Sequence, residues 1–308
     1  MDAAKKIRLW AGLLKETRAF FDTQGFFEVT TQCLVPAGAF EASIDPLTVG
    51  DSKTAPLGQL HTSPEMEMKV LLAQSRLPIY QLTPCFRDDP HSPVHAKEFT
   101  MLEFYRIGAT ASAVAKDTQA LLEKLAGRPL AWLHVRVDKL FRNLGLELAE
   151  LPTAPDFRSA IEKLELVETA QSDSWSDLFF RVWLEKIEPA FPPDRPVLVQ
   201  GYPVAVSPLS FSAQGSLFAE RFEIYWRGME LCNGCTELTD PLRLRQRWEE
   251  QNQDRLARHL PLHPLPERLW LAADSGMPAC AGVAVGLDRL FLALAQSFWD
   301  HRGADLIR

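Results

Sequence analysis

Cysteine is scarce in this 308-residue chain: five residues, at positions 33, 85, 232, 235 and 280. So odd and sparse a set excludes a disulfide-stapled scaffold and fits reduced thiols in a cytoplasm. Cys232 and Cys235 form one C-x-x-C pair, but no second pair stands at zinc-site spacing and no thioredoxin-like context surrounds it. Long apolar runs are also missing. The longest, at 281–294, is interrupted by Asp288 and Arg289, which excludes a membrane-spanning helix there. The chain shows no signal peptide, internal repeat or low-complexity tract. Excess positive charge is absent too: 33 Lys and Arg stand against 40 Asp and Glu, a net charge of -7. That argues against a broad nucleic-acid surface and leaves room only for a local basic patch. Hydrophobic side chains, by contrast, make up 46% of the residues, enough for one large core or two modest ones.

The most informative stretch is 87–105, RDDPHSPVHAKEFTMLEFY. A strand-like run at 78–86 ends in Arg87, a polar loop with two Pro and two His follows, and a second strand-like run begins at Glu98. This predicts a hairpin with a long charged loop. Alternation places Phe99, Met101, Glu103 and Tyr105 on one face of the second strand, and Thr100, Leu102 and Phe104 on the other. The second set can be core. The first set carries an aromatic plate, a carboxylate and a phenol, which suit a base and an ammonium group. Arg87, at the strand end, can clamp a phosphate bidentately. The same residues also suit an ordinary hairpin with a solvated loop, since short motifs recur by chance.

Upstream, Trp10, Leu13, Leu14, Thr17, Phe20 and Phe21 recur at helical spacing and predict a helix over 5–24, stopped by Gly25 and followed by a strand at FFEVTT, 26–31. HTSPEMEMKVLL, 61–72, reads as a helix capped by Thr62 or Ser63, with Pro64 first and Glu65 and Glu67 in its opening turn. Helices are also predicted at 113–124 and 156–168. Six Pro from Pro189 to Pro208 mark turns, so 130–210 reads as a connecting insertion within a single domain, 1–308. Phe222, Ile224 and Trp226 alternate with charge and predict a strand that continues into MELCNGCTELTD, 229–240. Without a bulge, Asn233, Cys235 and Glu237 share a face there, and Gly234 allows close approach to a ligand. Arg243, Arg245, Arg247, Arg255 and Arg258 fall in a helix at 241–259, either a solvated face or a dock for an acidic partner. GVAVGLDRL, 282–290, puts glycines where a backbone can lie against a nucleotide, just before Arg289.

Three of these segments, in this order, resemble the motifs of the class II aminoacyl-tRNA synthetases, specifically the lysyl branch. The hairpin is similar to motif 2, which reads Phe-Arg-Asn-Glu, a loop, then His-Asn-Pro-Glu-Phe-Thr-Met-x-Glu-x-Tyr. The first helix and strand resemble motif 1, with Gln32 where the motif has Pro, and GVAVGLDRL resembles motif 3, Gly-x-Gly-x-Gly-x-Asp-Arg, with Ala284 where lysyl-tRNA synthetases have Gly. TSPE at 62–65 and the pattern Glu-Leu-x-Asn-Gly-x-x-Glu-Leu at 230–238 match the lysyl branch as well. The similarity covers about 8–295 and leaves no room for an anticodon-reading OB-fold. A freestanding, acidic lysyl-type core with Ala284 is similar to the elongation factor P–lysine ligase family.

The resemblance implies an α+β fold, the class II synthetase catalytic fold, with an antiparallel sheet flanked by helices and a homodimer built on motif 1. It implies ATP and Mg2+ as cofactors, a small diamino acid such as (R)-β-lysine or lysine as substrate, and elongation factor P as partner, with no tRNA and no membrane. Carried onto this chain, Arg87 and Arg289 are the catalytic arginines, on the α- and γ-phosphates, and Phe99 stacks on adenine against Arg289. Asp88, Asp89, His95, Ala96, Glu230, Leu231 and Gly286 complete the ATP site. The amino acid falls to Ser63, Pro64 and Glu65, to Glu103 and Tyr105, and to Asn233, Glu237 and Ala284, while Glu230 and Glu237 hold Mg2+. The chain departs from the family at Pro84 (Arg), Asp89 (Glu), Ala96 and Lys97 (Asn-Pro) and Cys235 (Phe). These departures keep two rivals in view: a lysine-activating ligase with another acceptor such as tRNA, and a synthetase-like binding module.

Overall fold

The structure, a computed structural model, describes residues 2–50, 56–89 and 96–295. α1 (Ala3–Thr23) turns Leu13, Thr17, Phe20 and Phe21 inward, the face their spacing predicts, and Asp2 accepts from the Ala4 N–H at its start. Gly25, at φ 74°, takes the left-handed conformation that ends it. β1 (Phe27–Glu28) is far shorter than the predicted 26–31 strand, because its parallel partner faces it over two residues only. The chain then forms β2 (Leu34–Val35), β3 (Thr48–Val49) and β4 (Gly58–Leu60), a small sheet in the order β2-β4-β3. α2 (Glu65–Ser75) starts one residue after Pro64, and Ser63 Oγ accepts from the Glu65 N–H.

The predicted hairpin is β5 (Ile79–Phe86) with β6 (Glu98–Ile107), in a register that sets Cys85 opposite Phe99 and Gln81 opposite Glu103. Pro84 is tolerated because β1 has already ended, so its missing N–H faces an open edge, and its carbonyl accepts from His61 Nε2 at 2.8 Å. After α3 (Ala111–Ala126) come β7 (Leu133–Arg136), α4 (Val137–Asn143), α5 (Ala154–Lys163), α6 (Trp175–Val182), a π-helical turn at Trp183–Ile187, and β8 (Val197–Gln200). α5 stops short of the predicted 168, and Glu165 turns back at φ 50°. This stretch carries its own apolar cluster around Phe141, Phe157, Phe179 and Trp183. It still extends the main sheet, since β8 pairs with β9 (Arg221–Trp226).

β10 (Met229–Thr236), α7 (Pro241–Ala257), α8 (Glu267–Asp274), β11 (Cys280–Gly286) and α9 (Leu287–Ala295) complete the described elements. The main sheet runs β1-β5-β6-β11-β10-β9-β8-β7, antiparallel except at its two outermost pairs, as expected for the α+β fold. One face carries Leu102, Phe104, Phe222, Ile224, Trp226 and Val283 into the core beneath α1, α3 and α9. The other face is left for a cavity. The arginines of α7 are mostly spent within the chain: Arg243 on Ser212, Arg245 on Asp274, Arg255 on Ala42 and Asp45, Arg258 on Asp177. Among the described residues no helix is long and apolar enough to cross a membrane.

Candidate active site

Against the open face of the sheet lies a cavity of about 680 Å³, lined from β6, β9, β10, β11, the start of α2, the π-helical turn and the loop before β3. β6 acts as a ruler along its floor. Phe99 and Glu103 point the same way and stand four residues apart, roughly 13 Å along the strand.

At the Phe99 end, the Arg87 guanidinium lies 5.2 Å from the ring centroid, and Arg87 Nε reaches Thr62 O at 3.4 Å. The cation over this ring is Arg87, while the expected partner across the adenine, Arg289, lines the same cavity. Arg289 stands on the first turn of α9, its Nη1 donating to Glu230 O at 3.0 Å and 4.0 Å from Glu230 Oε2. Asp288 fixes that turn to the floor by accepting from the Thr100 N–H at 2.6 Å. Asp89, Ala96, Leu231 and Gly286 also line the cavity. Asp88 does not: its carboxylate pairs with Lys97. His95 lies outside the described residues.

At the other end, Glu103 is buried and accepts from Ser63 Oγ at 2.6 Å and from the Tyr105 hydroxyl. Lys69, with none of its side chain exposed, lies 2.6 Å from both Glu65 Oε1 and Glu237 Oε2. Cys235 Sγ stands 3.5 Å from Glu237 Oε1. Ala284 pairs with Glu103 across β11 and β6 and faces the same space, whereas Pro64 only shapes the helix start. Asn233 lines the cavity but spends its Oδ1 on Arg221 Nε at 3.0 Å.

The carboxylates are crowded. Burial, reinforced by the charge of Glu65, pushes Glu103 up to about 8. Burial pushes Glu237 up to about 7 although Lys69 opposes it. Burial and then the charge of Glu223 push Glu230 up to about 7. Burial alone would lower Lys69, but Glu237 and Glu65 outweigh it and hold the ammonium well above its ordinary value. A site with this many carboxylates at one end and guanidinium groups at the other can hold a cation beside a polyanion.

The expected Mg2+ pair needs correcting. Glu230 and Glu237 are seven residues apart on or just past one strand, roughly 20 Å, while Mg2+ needs oxygens at about 2.1 Å. Glu237 is moreover tied to Lys69. The carboxylate near Glu230 is Glu223, a diagonal neighbour on β9, since Glu230 pairs with Tyr225 and Glu223 with Asn233. A register shift between Glu230 and Cys232 makes this possible: it turns Glu230 to the face of Asn233, Cys235 and Glu237. Two like charges facing one cavity suit a divalent cation that keeps several waters.

Sequence reasoning passed over Lys69, Arg221, Glu223, Glu41 and Glu188, all in or beside this cavity. Two of them had a signal. Lys69 follows Glu65 by one helical turn, and Glu223 lies on the polar face of the alternating strand. Glu223 is held by Arg221 Nη2 and by the hydroxyls of Tyr202 and Tyr225.

The chain matches the family described as tRNA synthetases class II (D, K and N) over residues 1–298. It is 35% identical over 288 residues to the elongation factor P–(R)-β-lysine ligase of Pectobacterium carotovorum subsp. carotovorum (strain PC1), covering 92% of this chain and 88% of that protein. It is 33% identical over 294 residues to the protein of the same name from Hamiltonella defensa subsp. Acyrthosiphon pisum (strain 5AT), with the same coverage. The chain therefore belongs to the class II tRNA synthetase family of the D, K and N type, in the branch that holds the elongation factor P–(R)-β-lysine ligases.

Proposed function

We propose that the protein activates (R)-β-lysine with ATP and transfers it to a lysine side chain of elongation factor P in the cytoplasm. The observation that carries this reading is the single cavity with Arg87, Phe99 and Arg289 at one end and Glu65, Glu103 and Glu237 at the other. The names of the two relatives support the substrate and the acceptor.

The substrate carboxylate attacks the α-phosphorus of ATP, the bond from that phosphorus to the α,β-bridging oxygen breaks, and pyrophosphate leaves with that oxygen. The protein's part is positioning and charge stabilisation. Arg87 holds the α-phosphate, Arg289 the γ-phosphate, and Phe99 offers its face to the adenine. Ser63, Glu65, Glu103, Tyr105, Asn233 and Glu237 bind the diamino acid. Glu230, with Glu223, would hold Mg2+, which when bound neutralises triphosphate charge. The acceptor ε-amine then attacks the adenylate carbonyl, an amide forms, AMP leaves and the amine gives up a proton. We also read α1 and β1 as a homodimer face, which the exposed side chains of Ile7 and Phe27 support.

The test is ATP–pyrophosphate exchange with (R)-β-lysine, lysine and a panel of amino acids, followed by transfer to elongation factor P or to tRNA, read by mass. Exchange with (R)-β-lysine and label on elongation factor P alone is expected. Label on tRNA moves the protein to the other acceptor, and no exchange with any amino acid makes it a binding module.

A further inference from the structure

The loop that carries Glu41 is immobilised by far more contacts than an ordinary connection. Ala37, Ala39, Phe40 and Ala42 are all buried. Gln251 Oε1 accepts from the Ala42 N–H at 2.9 Å, Arg255 Nη1 donates to Ala42 O at 2.9 Å, and Arg255 Nη2 lies 2.7 Å from Asp45 Oδ1. His263 Nε2 donates to the Glu41 carbonyl itself at 2.9 Å. Asp45 O accepts from the Asp88 N–H at 2.8 Å, which ties the loop to the chain just after Arg87. All but the Arg255–Asp45 ion pair hold the backbone. The Glu41 carboxylate lines the cavity with no hydrogen bond or ion pair to any described residue.

Its place is the junction of the two ends. Burial, first of all, raises its carboxyl above the ordinary value, and the charges it feels are Arg221, Glu65, Arg87 and Glu223, drawn from both ends of the cavity. The deep carboxylates are already engaged: Glu65 and Glu237 share Lys69, and Glu103 holds Ser63 and Tyr105. A diamino acid has two ammonium groups. When its carboxyl stands at Arg87 and its chain runs along β6, one ammonium reaches the deep cluster and the other stays near the junction, where the rigidly held carboxylate without a partner is Glu41.

We propose that Glu41 binds the substrate ammonium nearest the reacting carboxyl, so that the site selects a diamino acid over a monoamine of the same length. This rests on the activation reading above and adds a specificity-determining residue to it.

The experiment measures dissociation constants by calorimetry on the full chain with two ligands: (R)-β-lysine, and 6-aminohexanoate, which lacks only the amine nearer the carboxyl. Glu41→Gln is expected to weaken (R)-β-lysine by about tenfold or more and to leave 6-aminohexanoate unchanged, since a charge-assisted bond is lost for one ligand alone. Glu41→Asp, which keeps the charge, should recover part of the loss. Equal weakening of both ligands would mean that Glu41 merely shapes the loop, and no weakening of either would mean that it faces no ligand; each overturns the proposal. If wild-type protein binds 6-aminohexanoate as well as (R)-β-lysine, selection by a second amine is refuted while activation, read by exchange, can still stand. If wild type binds neither, the activation reading falls and takes this proposal with it.

Discussion

Lys69 Nζ lies 2.6 Å from Glu237 Oε2, with none of the Lys69 side chain and 3% of the Glu237 side chain exposed. The same ammonium reaches Glu65, so one helix residue joins α2 to the end of β10 and sets the charge of the amino-acid end. Lys69→Met should leave two crowded carboxylates without their counter-ion. Breaking a buried pair on one side costs about 3–5 kcal/mol. Urea unfolding should show a loss of that order, and a loss below 1 kcal/mol would show that water already screens the pair.

Arg87→Ala should abolish ATP–pyrophosphate exchange and leave the far-ultraviolet circular dichroism spectrum unchanged. Arg87 follows the end of β5, and among the described residues its side chain reaches Thr62 O and lies over the Phe99 ring, so little of the described fold depends on it. Exchange near the wild-type rate would remove Arg87 from the phosphate site.

Glu103→Gln should raise KM for the diamino acid far more than KM for ATP, because Glu103 stands roughly 13 Å along β6 from the Phe99 end. Equal effects on both would contradict a cavity divided into two ends.

Glu230→Gln should raise the Mg2+ concentration needed for half-maximal exchange, and Glu237→Gln should raise KM for the diamino acid instead. The reverse pattern would restore the sequence-based pairing of Glu230 with Glu237 and defeat the assignment to Glu223.

Ligand-free stability should fall between about pH 5 and pH 8. Glu103, Glu230 and Glu237 have carboxyls raised by burial from the ordinary 4.5 to about 8, 7 and 7, so the folded protein binds more protons than the unfolded chain in that window. When the native state holds the extra protons, stability falls as pH rises. Scanning calorimetry should show Tm dropping across the window, with a shallower slope in Glu103→Gln and in the presence of diamino acid. A Tm that climbs throughout would reverse the sign and end this account.

Much of this protein was legible in its residues because the signals are local. Helical spacing located the buried face of α1, and alternation separated Leu102 and Phe104 from Phe99, Glu103 and Tyr105, since side chains on a strand must alternate. The order of the three motif-like segments pointed to the class II fold. The length of β1, the escape of Pro84 to an open edge and the fate of the α7 arginines depended on partners far along the chain. The clearest case is Glu230. By alternation it belongs on the core face with Cys232, and only the register shift on β10 turns it toward the cavity beside Glu223. Residue types and their periods are properties of the chain itself. Which carboxylates meet across a sheet is decided by strand register, and register is settled only when distant strands pair.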